Sequence, residues 1–341
     1  MSNTGLSLHR LGVPVRLVGK IGGDTFGRLI VELIERQGAG LARWIEPVQG
    51  EVSSYTVVLN PPGIDRIFLH CPGANDTFTD ADVPDSVLEG ASLFHFGYPP
   101  LMERIYGDGG ILLSRILSRA REHGALTSLD MSLPDPSSPS GRVDWDSFLN
   151  RVLPLVDCFV PSVEEFLFMA DRPAFDRLAA RGGGAAIISE IRFDDLEALS
   201  RKAMSRGPAV VLVKLGERGA YLRTGPKVLE GLEGWEEREL YSPVFSVPEV
   251  AGTTGAGDAT IAGLLASLLK GLQPEEALEM AVAVGGCCVE ALDASSGIRS
   301  WDETRARVRG GWRKAPAVVA EPGWTRLSSG VWTGPNDRAP H

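Results

Sequence analysis

Apolar and polar positions alternate through residues 13–18, which predicts a strand running into Gly22-Gly23. From Asp24 the period lengthens, with Phe26, Leu29, Ile30, Leu33 and Ile34 at helical spacing. Between 44 and 70 the pattern shortens to β-rich runs at 54–59 and 66–69, separated by Asn60-Pro61-Pro62-Gly63, and predicts a small antiparallel insertion. After Pro72-Gly73-Ala74-Asn75 strand and helix patterns alternate again. Strands are predicted at 92–96, 126–129, 157–160 and 210–213, with a helix over 102–123 and a glycine-bearing turn at 214–219 leading into a second strand. A strand at 244–247 precedes small residues and an apolar helix at 259–269. From 315 onward Pro, Gly and Trp follow no period and predict an irregular tail. Repeated β and α units of this kind argue for an α/β fold, a parallel sheet covered by helices on both faces.

Composition narrows what such a fold can do. With 44 Asp+Glu against 34 Lys+Arg in 341 residues the net charge is −10, which disfavours phosphate backbones and anionic membrane surfaces as general partners. Gly 40 and Pro 23 imply many turns. Cys71, Cys158, Cys287 and Cys288 form no CxxC pair and are too sparse for a disulfide framework, so a reducing cytoplasm is expected. The longest apolar runs, 259–269 and 281–289, are too short to span a bilayer.

Candidate chemistry concentrates at Thr253-Thr254-Gly255-Ala256-Gly257-Asp258, immediately before the apolar helix. Small residues let a backbone approach a ligand closely, and the unpaired N–H groups of the first helical turn favour an anion. A lone Asp there reads first as a helix cap. An anion site with a carboxylate one turn away is also what phosphoryl transfer to a hydroxyl requires, and the whole string favours that second reading.

This string resembles the signature of the ribokinase-like PfkB family of carbohydrate kinases, usually Asp-Thr-x-Gly-Ala-Gly-Asp. The resemblance implies that the amides of Gly255, Ala256 and Gly257 form the anion hole, that Asp258 is the catalytic base, and that Thr253 and Thr254 lie by the nucleotide. It extends to Val18-Gly19-Lys20-Ile21-Gly22-Gly23-Asp24-Thr25-Phe26-Gly27, to Pro72-Gly73-Ala74-Asn75, and to Pro161-Ser162-Val163-Glu164-Glu165, similar to the family's Asn-x-x-Glu motif with Ser162 in place of the asparagine. It further implies a water-mediated Mg²⁺ contact for Glu165, ATP contacts for Lys214, Gly216 and Ser162, and substrate contacts for Asn3, Asp24 and Asn75. The implied architecture is a three-layer α/β/α body over 1–43 and 71–314, a β lid over 44–70 and a tail over 315–341. The implied reaction is ATP-dependent phosphorylation of a sugar or sugar acid, with a nucleoside kinase or a non-catalytic sugar-binding relative as alternatives. Lid strands in this family often pair between subunits, so a homodimer is a further expectation.

Two departures qualify the resemblance. Gly252 stands where relatives carry an aspartate that helps bind a monovalent cation, so potassium activation is not carried over. Asn3 matches an asparagine that in relatives follows an opening strand and a Gly-Gly segment. Either the natural chain is expected to start upstream of Met1, or the tail is expected to supply the strand, with Val331-Trp332-Thr333 as the candidate run. His95 reads as a strand histidine near the substrate mouth, Cys287 and Cys288 as core, and the basic run from Arg305 to Lys314 as a solvated helix face.

Overall fold

Val210–Lys214 is apolar at every position but its last, and all five residues are buried. Its side chains alternate across the sheet. Val211 and Val213 join a cluster with Leu117, Phe148, Phe166 and Phe193, whereas Val210 and Leu212 join another with Ile261, Leu265 and Ala281. A strand apolar on both faces needs helices above and below, and three layers result. The computed structural model describes residues 2–59, 67–227, 229, 231–317, 319 and 321–338.

The large sheet runs in the order Thr325–Arg326, Trp332–Thr333, Glu239–Ser242, Ala220–Thr224, Val210–Lys214, Cys158–Phe159, Leu126–Leu129 and Leu93–Phe96. Pairing is parallel from Leu93–Phe96 to Val210–Lys214, where helices make the crossovers, and antiparallel beyond it. The Gly216–Arg218 turn makes the switch. A second, two-stranded parallel sheet pairs Val18–Gly22 with Trp44–Val48 and carries its own small core of Leu17, Ile21, Ile34 and Ile45.

Several sequence expectations are corrected. The first strand begins at Val18 rather than at 13, and Trp44–Val48 pairs parallel with it instead of joining an antiparallel insertion. The antiparallel hairpin is Tyr55–Leu59 with Ile67–Cys71, and the turn expected at 60–63 lies outside the described residues. The helix expected over 102–123 is two, Glu103–Gly107 and Ile111–Glu122, because Gly109 and Gly110 between them sit at φ 69° and 88°. The strand expected at 244–247 is displaced to Glu239–Ser242. Pro243 and Pro248 flank the expected run and lack ladder donors, leaving Phe245 in a single bridge to Lys314. Trp332–Thr333 does form a strand, but on the antiparallel edge beside Glu239–Ser242, so the tail does not stand among the parallel strands. Among the described residues no helix is long and apolar enough to cross a membrane.

Candidate active site

The Ala256–Leu269 helix starts from Gly255, whose φ is 80°. A Cβ at Gly255 would lie 2.6 Å from both the Cβ and the carbonyl oxygen of Ala294, so the position demands glycine on two counts. The loop is tied to the end of the Pro274–Cys288 helix: Ala251 N–H donates to the Val289 carbonyl at 2.9 Å, and the Cys288 thiol lies 3.7 Å from the Thr254 carbonyl. Ala256 N–H closes a turn on Thr253 at 3.3 Å. At Gly252 an added Cβ would approach the carbonyl oxygens of Leu292 and Ala291 at 3.0 and 3.1 Å, so main-chain oxygens line this position.

Asp258, one turn into this helix, is only 6 % exposed. Burying a carboxylate is costly unless donors satisfy it, and here three do. Thr4 Oγ1 donates to Oδ1 at 2.9 Å, Asn3 Nδ2 to Oδ2 at 3.1 Å, and the Tyr98 hydroxyl to Oδ2 at 2.8 Å. Asn3 and Thr4 arrive on the Ser2–Arg10 helix, which packs on Ala256–Leu269. Tyr98 arrives from the turn after Leu93–Phe96 with φ 64° and ψ 46°. A non-glycine residue in that region, followed by Pro99, carries strain of order 1–3 kcal/mol, which the surroundings must hold. Burial first, and then the Asp258 charge, push the Tyr98 phenol well above its ordinary range, so it stays a donor.

A second buried cluster adjoins the first. Lys214 Nζ donates to Asp130 Oδ1 at 2.7 Å, and its stem passes 3.6 Å from where a Gly257 Cβ would stand. Burial alone would lower the Lys214 pKa, but the Asp130, Glu165 and Asp258 carboxylates outweigh it and raise it. Burial, aided by the Glu165 and Asp258 charges, pushes the Asp130 carboxyl upward against the pull of Lys214. Asp130 Oδ2 is buried without a hydrogen-bond partner among the described residues. Ser162 bridges Lys214 through its backbone and caps the Val163–Ala170 helix. Glu165 closes that capping box, accepting from Ser162 N–H at 2.6 Å, and burial pushes its carboxyl upward.

The remaining sequence candidates have local partners of their own. Asp24 accepts from Gly27 N–H at 2.7 Å, Ser53 N–H at 2.9 Å and Ser53 Oγ at 2.7 Å, and Asn75 Nδ2 donates to Ser54 Oγ at 3.0 Å. Both therefore stand at the base of the hairpin. Gly216 opens its turn at φ 53°, with an added Cβ 3.0 Å from Ile188 Cδ1. His95 Nδ1 lies 3.0 Å from Ser128 Oγ, and burial pushes its pKa down to about 3, so the ring is neutral. Arg305, Arg307 and Lys314 of the basic run pair with Glu276, Glu290 and Glu279. Sequence reasoning missed Thr4, Tyr98 and Asp130. The one signal for Tyr98 was a bulky residue directly before Pro99-Pro100.

The family model described as pfkB family carbohydrate kinase matches residues 2–301. The chain belongs to this family. As a carbohydrate kinase it phosphorylates a hydroxyl group of a sugar or sugar acid. It is 25% identical over 303 residues to a 2-dehydro-3-deoxygluconokinase of Bacillus subtilis, covering 87% of this chain and 82% of that one. Its fold is similar to that of a fructokinase with bound ATP from Xylella fastidiosa, with TM-score 0.69, 19% identity, and coverage of 90% and 89% of the two chains. It is likewise similar to a ribokinase of Arabidopsis thaliana complexed with ribose and ATP, with TM-score 0.66, 20% identity, and coverage of 89% and 85%.

Proposed function

We propose that this carbohydrate kinase uses Asp258 as general base on the acceptor hydroxyl and the Gly255–Gly257 amides as the anion hole for the phosphoryl group of ATP. The observation that carries the reading is a buried carboxylate whose hydrogen-bond donors among the described residues are all neutral, one turn inside a helix that starts at a sterically required glycine. As the hydroxyl oxygen attacks the γ-phosphorus, Asp258 takes its proton. Charge building on the phosphoryl oxygens falls on the amides at the helix start, aided by its dipole. Lys214, held beside Gly257, adds a fixed positive charge, with Ser162 and Gly216 flanking the nucleotide. Thr253 and Thr254 shape the approach to the loop.

Mg²⁺ fits the residues present. Three carboxyl groups, Asp130, Glu165 and Asp258, act on Lys214, and Asp130 Oδ2 has no partner among the described residues. Asp130, and Glu165 through water, would hold the ion. When bound, it would neutralise phosphate charge. Gly252 supplies no carboxylate for a monovalent cation.

Asn3 reaches toward the acceptor from Asp258, while Asp24 and Asn75 secure the hairpin that we read as the lid over the sugar, excluding water as a competing acceptor. The hairpin's outer surface supports pairing of two chains. Tyr55, Val57, Leu59 and Leu69 share one face and are exposed, as are Phe26, Leu29 and Leu33 on the neighbouring helix, and Phe26 stacks on Tyr55 at 4.7 Å. The free cysteines support a cytoplasmic location.

The test is ATP consumption with D-fructose, D-ribose, 2-dehydro-3-deoxygluconate and adenosine as acceptors, for wild type and Asp258→Asn. Turnover on the preferred acceptor is expected to fall by roughly 10² to 10⁴ in the variant, with ATP affinity little changed. A variant keeping more than half of wild-type turnover would return Asp258 to helix capping.

A further inference from the structure

The reading of Asp258 as base leaves unexplained why its carboxylate is so fully engaged. A carboxylate offers about four lone-pair sites. Asn3 and Tyr98 occupy both on Oδ2, and Thr4 takes one on Oδ1. Among the described residues one site on Oδ1 remains open. Two of the donors belong to the Ser2–Arg10 helix and the third reaches in from the turn after Leu93–Phe96, so the group is gripped by two separate segments. Tyr98 is one of two described non-glycine residues at positive φ. Its N–H is tied to the Asp130 carbonyl at 3.3 Å, and its own carbonyl accepts from Leu101 N–H at 3.0 Å. Strain held by bonds on both sides of a residue points to the direction in which its side chain is aimed, and this one is aimed at Asp258.

Resting on the base assignment, we propose that Tyr98 is a positioning residue: its hydroxyl, with Asn3 and Thr4, locks the Asp258 carboxylate so that the one open lone pair on Oδ1 receives the acceptor hydroxyl. Tyr98 keeps its own proton throughout. In the transfer step the acceptor O–H bond breaks as the new O–P bond forms, the proton passes to Oδ1, and the γ-phosphoryl group leaves the β-phosphate oxygen of ATP. A freely rotating carboxylate would meet the hydroxyl in the right geometry only part of the time, so the lock acts on turnover and not on sugar binding.

Tyr98→Phe removes one oxygen and keeps the ring, and Thr4→Val removes the donor on the opposite oxygen at nearly constant shape. With the best of D-fructose, D-ribose and 2-dehydro-3-deoxygluconate as acceptor, each is expected to lower kcat about ten- to a hundredfold, the worth of one hydrogen bond to a charged group, with sugar KM changed less than about twofold. On an Asp258→Asn background Tyr98→Phe is expected to cost less than about twofold more, because the group it positions is gone. Losses that add in the double variant, or a Tyr98→Phe enzyme with wild-type kcat beside an inactive Asp258→Asn, would overturn this role and leave the base assignment standing. A Tyr98→Phe enzyme with lower sugar KM at unchanged kcat would overturn it too, making the phenol a gate that substrate displaces. An Asp258→Asn enzyme with near-normal turnover would overturn both.

Discussion

A Cβ added at Gly255 would press into Ala294 at 2.6 Å on a backbone already at φ 80°, whereas one at Gly257 would meet only the flexible stem of Lys214 at 3.6 Å. The two glycines of one motif thus carry different constraints. Gly255→Val is expected to weaken ADP binding at least tenfold, about 1.4 kcal/mol, while Gly257→Ala changes it by less than about threefold. Calorimetric titration with ADP separates them, and equal effects of the two substitutions would remove the steric distinction. At this scale the sequence was readable where a motif is short and local: the Thr253 to Asp258 string runs directly into the Ala256–Leu269 helix, and Ser162 and Glu165 lie within one turn of each other. It was unreadable where the partner lies far along the chain. Nothing near Thr4 or Tyr98 announces Asp258, which is 254 and 160 positions away. Asp130 is one residue past a correctly placed strand and gains meaning only from Lys214, 84 positions on.

Elements with strong periodicity were legible and those whose composition is overridden by context were not. Val210–Lys214 was found because a strand buried on both faces is nearly all apolar, and Ala220–Thr224 because a glycine-bearing turn leads from it directly into a second apolar run. Glu239–Ser242 was missed because its first residue is a glutamate, buried only because Tyr221 OH and Asn336 donate to it. The hairpin Tyr55–Leu59 with Ile67–Cys71 illustrates the reverse problem. An isolated two-stranded ribbon is marginal in water, and an apolar outer face adds exposed area without adding core. If two chains cover this face together, Val57→Lys combined with Leu69→Lys should move the sedimenting mass from a dimer to the 36.5 kDa of one chain while the body stays folded. A wild type that already sediments as a 36.5 kDa monomer at micromolar concentration would sink the proposal.

The whole molecule is closed at its antiparallel edge by residues that carried no periodic signal. Trp324 packs on Phe193 at 4.5 Å, Val331 is fully buried, and Arg238, with a side chain 3% exposed, pairs with Asp337 at 2.9 Å and with Glu275. Removing residues 321–341 would leave that guanidinium half-paired and uncover the aromatic cluster of Phe193, Tyr221 and Tyr241. The expected loss is roughly 3–5 kcal/mol or more, read as a fall in melting temperature of about 10 °C. A truncated chain melting within a degree or two of wild type would show that the edge needs no cover. The layered body was legible because βα repetition constrains topology strongly, whereas the edge was not, because four short strand residues at 325–326 and 332–333 are set by their neighbours.

The grip on Asp258 also has a bearing on time. Thr4 and Asp258 are 254 positions apart, so at a synthesis rate of ~5–20 residues per second roughly 13–50 s separate their emergence from the ribosome. During that interval the Ser2–Arg10 helix has no Ala256–Leu269 helix to pack on. A nascent chain stalled just before Asp258 would hold the strands from Leu93 to Ser242 and no base. Phosphotransfer by stalled chains of increasing length should therefore switch on abruptly rather than grow with the sheet, and it would report the moment when the two distant helices meet.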